Sequence, residues 1–347
     1  MRRPIALGAR LAWLLGLLLT ACAASTAQPA ANSQLPTALI TLATAPPAAP
    51  TPQPTAPPAT PTPAPTAPPA TPTPPQRWRF VVLGDTRTEG LKPPDVTYQI
   101  VERAAQAQPA IVLALGDLIY AMDTREQVRQ QWQSWREAVA PLGANPERGA
   151  PWLLPTPGNH DVQGHSWATD LFAEAFSELP SNGPPGLDRR AYALDYGGVR
   201  FISLDSERFE AMHLLDDAQL GWLEAELRDN PNRFTIVFSH DPAFPVGPHA
   251  GSSLDAYPQA RDRFWKLLRD YHATAYFAGH EHLYNRRAID GVQQIIAGTS
   301  GSFVYSGFGG EFYHYLVGEV GADAIDIVVY DQGGQERDRF MLPAATR

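Results

Sequence analysis

The chain has 347 residues and a formal net charge of −9, from 27 basic and 36 acidic side chains. It has a single cysteine, Cys22, which excludes internal disulfides and cysteine catalysis in the rest of the chain. The acidic balance and the lack of a basic stripe argue against nucleic acid as a partner.

The first 21 residues have the pattern of an export signal. A basic start, "MRRPIALGAR", precedes an apolar run of nine residues, "LAWLLGLLL", which is too short to span a bilayer. The following "LTAC" (19–22) resembles the lipobox of bacterial lipoproteins, which are cleaved before the cysteine and lipidated on its sulfur. We therefore expect a lipoprotein signal peptide over 1–21 and lipidation of Cys22. An ordinary secretory signal with an incidental cysteine is the alternative.

Residues 22–76 have the composition of a stalk. They are rich in Ala, Pro and Thr, and 15 of residues 46–75 are proline. An eleven-residue segment, "PTAPPATPTPA" (54–64), recurs as "PTAPPATPTPP" (65–75). Such a segment cannot bury a core and favours polyproline II, which rises about 3.1 Å per residue. We expect a disordered stalk that holds residues 77–347 off the outer face of a membrane.

Residues 77–347 have an α/β pattern, in which apolar β-branched runs alternate with amphipathic windows. The predicted strands are 79–85, 110–117, one ending within 151–161, a hairpin over 191–206 that turns at Gly197-Gly198, 234–241 and 274–282. The predicted helices are 95–106, 124–139, 216–230 and 258–271. Segments 291–301, 314–320 and 323–331 are mostly strand. This order predicts βαβ units followed by antiparallel strands.

Polar side chains follow five of the predicted strands. They are Asp85, Asp117, Asn159-His160-Asp161, His240 and His280-Glu281-His282. A lone Gly-Asp is usually a turn, and a lone histidine at a strand end is usually structural. The joint occurrence is different, because sites assemble at the carboxyl ends of parallel strands. Carboxylates, an amide oxygen and imidazoles without thiolates suit metals such as Zn, Mn and Fe.

These ordered GD, GNHD and GHxH motifs resemble the calcineurin-like metallophosphoesterases over most of 77–300. The resemblance implies a four-layer αββα sandwich of two mixed sheets flanked by helices, with two metal ions. It assigns Asp117 to the bridge between the metals and His160 to the substrate as acid or phosphate contact. The other ligands it implies are Asn159, His240 and His280 on the second metal, and Asp85 and His282 on the first.

One position departs from the commonest form of the first motif, D-x-H. Here the motif reads "GDTR", and Arg87 cannot ligate a metal because it has no acceptor lone pair. Purple acid phosphatases in the same superfamily also lack that histidine and use G-D-x-x-Y, whose tyrosinate binds the first metal. "GDLIY" (116–120) is similar, which implies Tyr120 as a ligand. The alternative for Tyr120 is aromatic packing.

The tyrosine resemblance also bears on the metals. A phenol ionises beside a strong Lewis acid, which favours Fe(III) with Fe(II), Zn or Mn as its partner. Arg87 has two interpretations, a structural ion pair with an acidic neighbour or a contact to the substrate phosphate. His249, on a Pro/Gly-rich loop, is a candidate substrate contact. His165, His213, His272 and His314 fit no motif, and surface or core positions are expected for them.

The predicted function is metal-dependent hydrolysis of phosphate monoesters, with a phosphorylated small molecule as substrate. The chain would act as an acid-phosphatase-like lipoprotein outside the cytoplasm. A phosphodiesterase or nucleotide-hydrolysing enzyme of the same fold is the alternative, and loops 162–190 and 241–257 would decide between them. A non-catalytic surface-binding lipoprotein is a third interpretation, which the complete set of second-metal ligands argues against.

Overall fold

The computed structural model of the protein describes residues 77–162 and 164–345. The predicted signal peptide, Cys22 and the predicted stalk lie outside the described residues. Among the helices in the described part of the chain, none is long and apolar enough to cross a membrane.

The described residues form six α-helices and fourteen strands. The helices are α1 (Asp95–Ala105), α2 (Arg125–Val139), α3 (Asn159–Val162), α4 (Ala168–Ala175), α5 (Asp217–Arg228) and α6 (Pro258–Asp270), with short 3₁₀ helices at Ala140–Ala144 and Leu254–Ala256. The strands are β1 (Trp78–Leu83), β2 (Ile111–Ala114), β3 (Leu153–Pro155), β4 (Tyr192–Tyr196), β5 (Val199–Ser203), β6 (Glu207–Arg208), β7 (Ala211–Met212), β8 (Phe234–Phe238), β9 (Ala275–Ala278), β10 (Tyr284–Ile289), β11 (Val292–Ala297), β12 (His314–Val320), β13 (Ala324–Asp331) and β14 (Glu336–Pro343).

The larger strands form two six-stranded mixed sheets. The first sheet has the order β14-β13-β12-β1-β2-β3, and the second has the order β10-β11-β9-β8-β5-β4. Strands β1, β2 and β3 are parallel, as are β5, β8, β9 and β11, while β4, β10, β12, β13 and β14 pair antiparallel with their neighbours. The parallel strands of each sheet therefore end on the same edge, where the predicted site residues follow them.

Side chains alternate between the two faces of each strand, so each sheet packs against the other sheet on its inner face and against helices on its outer face. Phe80 of the first sheet packs on Phe201 of the second, with ring centroids 6.2 Å apart. On the other face of the second sheet, Tyr276 packs on Phe264 of α6 at 5.1 Å. Helix α1 buries Ile100 in the core shared with the first sheet. The layers are thus helix, sheet, sheet, helix, which confirms the predicted αββα sandwich.

Most predicted elements are present, but the region 162–190, predicted as loop, contains helix α4. Its Phe172 is buried against Trp132 of α2, with ring centroids 5.7 Å apart. This tertiary contact explains a helix of only eight residues that would be marginal alone. The β6-β7 ribbon, after β5, was also not predicted; it is a two-stranded sheet of its own.

Candidate metal centre

The side chains predicted from the strand ends converge at one edge of the sandwich. Asp85 follows β1, Asp117 follows β2, and Asn159 opens the helical turn after β3. From the second sheet, His240 follows β8, and His280 and His282 follow β9. Asp85, Asp117 and His240 each offer a ligand atom, and these atoms lie within 4.8 Å of one another. The first sheet thus supplies oxygen donors and the second supplies imidazoles.

The backbone at these strand ends is strained. Asp85, Asp117 and His280 all have left-handed φ values, of 51°, 51° and 68°. Such conformations cost of the order of 1–3 kcal/mol each and persist where the surroundings hold them. The turns also approach closely, since a Cβ on Gly158 would collide with the backbone nitrogen of Asp117. Close approach of the turns, rather than side-chain reach, therefore brings the donors together.

The second-metal donors predicted from the motifs meet directly. His240 Nε2 lies 3.0 Å from Asn159 Oδ1 and 3.1 Å from His280 Nδ1. The opposite nitrogens of the two imidazoles are held by backbone carbonyls, with His240 Nδ1 2.8 Å from Leu115 O and His280 Nε2 2.8 Å from Ser252 O. Such outer hydrogen bonds fix the tautomer and leave one nitrogen of each ring for a metal.

The first-metal donors make fewer mutual contacts. His282 Nε2 lies 3.4 Å from Asp85 Oδ1, and both side chains are buried. The carboxylate of Asp85 also accepts the backbone N–H of His280 at 3.1–3.2 Å. Burial raises the pKa of Asp85 well above its usual value, against the opposing effect of His240. A bound cation would stabilise the ionised form of a carboxyl group that is buried in this way.

Asp117 lies between the two donor sets. Its Oδ1 is 3.4 Å from His240 Nε2 and accepts the backbone N–H of His160 at 2.9 Å. Its Oδ2 accepts the Arg87 Nε–H at 3.0 Å, and both side chains are largely buried. Burial opposes its ionisation, but His240, His160 and Arg87 together lower the pKa of Asp117. Arg87 therefore forms an ion pair with the predicted bridging carboxylate, and its contact to a substrate phosphate stays a prediction.

Tyr120 and His160 lie side by side at the site. Their ring centroids are 4.9 Å apart at 30°, and the Arg87 guanidinium lies 5.7 Å from the Tyr120 centroid. His160 Nε2 is 4.0 Å from Asp117 Oδ2. Burial lowers the pKa of His160 to about 4, so this imidazole is neutral at neutral pH. Both residues are thus next to the predicted bridge, and the ligand role of Tyr120 stays a prediction.

Two acidic residues within the motifs act as structural supports. Asp161 Oδ1 accepts the backbone N–H groups of Leu118 and Ile119, and its Oδ2 accepts that of Gly158. Glu281 turns away from the donors and accepts the backbone N–H of Gly247 at 2.9 Å. Asp161 therefore ties the GNHD turn to the GD turn, and Glu281 ties the GHxH turn to the loop after β8.

The structure places His213, Glu207 and Asp241 at the site, and the motif analysis did not predict any of them. His213 Nδ1 lies 2.7 Å from Asp241 Oδ2 and 3.8 Å from Glu207 Oε1. Asp241 Oδ1 is 3.6 Å from His280 Nε2, and burial raises the pKa of Asp241 well above its usual value. His213, Asp241 and His280 form a second group that could hold a metal ion. The position of Asp241 directly after His240 was the available signal in the sequence.

His249 lies at the site together with a tyrosine that no motif indicated. The ring centroids of His249 and His280 are 4.1 Å apart, and His249 Nε2 is 2.7 Å from Tyr305 Oη. Tyr305 in turn stacks on His282, with centroids 4.8 Å apart at 13°. Burial raises the pKa of Tyr305 to about 12 and lowers that of His249 to about 4. The pair is therefore neutral over a wide range of pH and can donate a hydrogen bond.

The donor set fits hard and borderline divalent or trivalent metals. It consists of buried carboxylates, an amide oxygen and imidazoles, and the outer nitrogens of His240 and His280 are already bonded, as expected around N/O-ligated metals. Without a cation, Asp85, Asp117 and Asp241 would be three carboxyl groups buried together. The residues present therefore fit metal binding at this edge.

The chain is similar in sequence to curated proteins that include a purple acid phosphatase and a phosphodiesterase. Over 219 residues the chain is 22% identical to purple acid phosphatase 23 of Arabidopsis thaliana, covering 55% of this chain and 44% of the relative. Over 137 residues it is 33% identical to the glycerophosphodiester phosphodiesterase GpdQ of Enterobacter lignolyticus (strain SCF1), covering 38% and 45%. The chain spans about half the length of the curated relatives it matches.

Solved structures with the same fold include a purple acid phosphatase, PPD1, from yellow lupin (Lupinus luteus) seeds. Its TM-score is 0.57 at 17% identity, covering 77% of this chain and 54% of that one. A structure of PhoD gives 0.55 at 15% identity, covering 80% and 74%. The family model for calcineurin-like phosphoesterases matches residues 79–284, more than half of the chain. The chain therefore belongs to the calcineurin-like phosphoesterase family.

Proposed function

We propose that the chain is a metal-dependent phosphoesterase that hydrolyses phosphate monoesters of small molecules at a dinuclear centre. The observation that carries the proposal is the place of Asp117, whose carboxylate lies 3.4 Å from His240 and within reach of Asp85. A carboxylate between two donor sets suits two-metal sites, where the ions are about 3.5–4 Å apart.

In this proposal the chain's residues divide the work. Two bound metals would act as Lewis acids and lower the pKa of a bound water. Asp85 and His282 would hold the first ion and Asn159, His240 and His280 the second, with Asp117 shared. His160, beside Asp117, would donate a hydrogen bond to a phosphoryl oxygen while it is neutral, and only its protonated form would give a proton to the leaving oxygen. His249, whose Nε2 lies 2.7 Å from Tyr305 Oη, would contact the substrate as a second hydrogen-bond donor.

For metal identity, we propose Fe(III) at the first position with Fe(II), Zn or Mn at the second. The support is the G-D-x-x-Y pattern and the place of Tyr120 beside His160 and Arg87. An iron-loaded chain should show a tyrosinate–Fe(III) charge-transfer band in the visible spectrum, and Tyr120→Phe should abolish it. A colourless protein that retains two iron equivalents would contradict this assignment.

A phosphodiesterase is the second candidate, because relatives are named glycerophosphodiester phosphodiesterase and probable cyclic nucleotide phosphodiesterase. The discriminating experiment measures kcat/KM for matched pairs, p-nitrophenyl phosphate against bis(p-nitrophenyl) phosphate and glycerol phosphate against a glycerophosphodiester. A monoester preference of tenfold or more in both pairs supports the first proposal, and the reverse supports the second.

For location, we propose attachment to the outer face of a bacterial membrane through lipidated Cys22. The support is the signal-like segment, the LTAC motif and the proline-rich repeat. Cys22→Ser should move the protein from the membrane fraction to the soluble exported fraction. Continued membrane association of this variant would count against the lipid anchor.

A further inference from the structure

A large aromatic side chain is exposed beside the metal donors. Phe303, in the loop between β11 and β12, is 55% exposed. Its ring centroid lies 4.7 Å from that of His282, at 75°. Exposed apolar rings are common singly on protein surfaces, but this one is next to a predicted metal ligand. It therefore forms part of the mouth of the site.

The backbone holds Phe303 in place from both sides. The N–H of Ser302 donates to the carbonyl of Asp85 at 2.7 Å, and the N–H of Tyr305 donates to the carbonyl of His282 at 3.0 Å. The segment is thus fastened to the two turns that carry the predicted first-metal donors. Its position relative to a bound phosphoryl group is set by the same turns.

The neighbours of the ring leave much of it open. His282 and Tyr305 both contact it in edge-to-face geometry, Tyr305 at 5.1 Å and 84°. With the ring still more than half exposed, these contacts do not use its whole apolar surface. The exposed part of the Phe303 ring can therefore contact a bound molecule. A second planar ring is the group that packs best on it, in offset-stacked or edge-to-face geometry.

We propose that Phe303 forms a subsite for a planar aromatic group carried on the ester oxygen of the substrate, so that the preferred substrates are phosphoesters of aromatic alcohols or other esters that place a ring at this distance. The inference rests on the proposed function, since it places the phosphoryl group on the metal donors. An aromatic pair adds about 0.5–1.5 kcal/mol beyond area burial, which corresponds to about a two- to tenfold gain in affinity.

Binding of three phosphonates tests the subsite without turnover. Isothermal calorimetry on the full chain loaded with Zn²⁺ compares phenylphosphonate, cyclohexylphosphonate and methylphosphonate. We expect phenylphosphonate to bind about two- to tenfold more tightly than cyclohexylphosphonate, because the two rings have similar size and only one is aromatic. Phe303→Ala should remove this preference and leave methylphosphonate binding unchanged, and Phe303→Trp should restore it.

A matched control is Met341→Ala, which removes another exposed apolar side chain on β14, at the far edge of the first sheet. It should leave all three affinities unchanged. Equal binding of the phenyl and cyclohexyl compounds by the unaltered chain would overturn the inference, as would a phenyl preference that survives in Phe303→Ala. Phosphate release from phenyl phosphate is measured in parallel, on the Zn²⁺-loaded chain and on the iron-loaded chain. A Phe303-dependent preference without phosphate release supports the subsite and defeats the proposed function instead.

Discussion

The two halves of the predicted metal centre are built differently. In the second-metal half, His240 Nε2 lies 3.0 Å from Asn159 Oδ1 and 3.1 Å from His280 Nδ1, and both imidazoles are fixed by backbone carbonyls. In the first-metal half, Asp85 and His282 are 3.4 Å apart. In the sequence of this half, Arg87 stands two residues after Asp85, where the commonest family motif, D-x-H, has a histidine.

The two halves therefore differ in how their side chains are held and in the charge beside them. The second half is pre-organised by hydrogen bonds, so it should bind its metal tightly with little rearrangement. In the first half, the Arg87 guanidinium lies 3.0 Å from Asp117 Oδ2, where its positive charge would compete with a metal for the shared carboxylate. We therefore expect the second metal to bind more tightly than the first, and the following changes test that order.

The largest effect is expected for Asp117→Asn, because this side chain serves both halves. Loss of an outer hydrogen-bond partner costs about 10–100-fold in metal affinity or activity, so loss of the bridging carboxylate should cost more than about a hundredfold. Phosphate release and metal content by elemental analysis measure it. Asp262→Asn, at an exposed aspartate on α6, is the control. An Asp117→Asn protein that keeps its activity would rule out a shared carboxylate.

The next effect is expected for His240→Ala, which removes one donor of the second half only. The metal content should fall from two equivalents toward one, and activity should drop by about a hundredfold. His272→Ala, at an exposed histidine, controls for loss of an imidazole in general. Should His240→Ala retain two equivalents with near-normal affinity, the second half would not be the better organised one.

The sequence alone placed much of this site. A local motif marks each predicted donor, and each lies within four residues of the end of a buried strand: Asp85, Asp117, Asn159, His240, His280 and His282. The topology of parallel strands then brings the strand ends to one edge. The two sheets and most helices were also predictable, since each rests on local periodicity.

Contacts between distant segments were not predictable. His213 reaches Asp241 from the β6-β7 ribbon, and Tyr305 reaches His249 and His282 from the loop before β12. No local spacing encodes these approaches. The partner of Arg87 was open for the same reason, because Asp117 lies thirty residues further along the chain. Helix α4 was missed because its packing against α2, and not its own pattern, sustains it.

A substitution that should strengthen the first half is Arg87→His. It removes the cation from Asp117 and offers an imidazole at the position of the commonest family motif. We expect the affinity for the weaker metal equivalent to rise by about tenfold, as measured by competition with a chelator. Arg87→Ala is the matched control, because it removes the charge without adding a donor. Equal affinities for the two variants would show that a side chain at position 87 does not reach the metal.

The smallest effect is expected for Asp241→Asn, which acts through His280 and not on a metal directly. Asp241 lies 3.6 Å from His280 Nε2 and binds His213 at 2.7 Å, so the amide keeps its size but replaces one carboxyl oxygen beside the imidazoles with an NH₂ group. We expect about a tenfold loss of affinity for the tighter metal equivalent, at unchanged stoichiometry. Asp205→Asn, a buried aspartate paired with Arg190 at 2.5 Å, controls for loss of a buried carboxylate elsewhere. If Asp241→Asn instead lowered the stoichiometry by one full equivalent, Asp241 would be a ligand in its own right, and His213, Asp241 and His280 would hold an ion of their own.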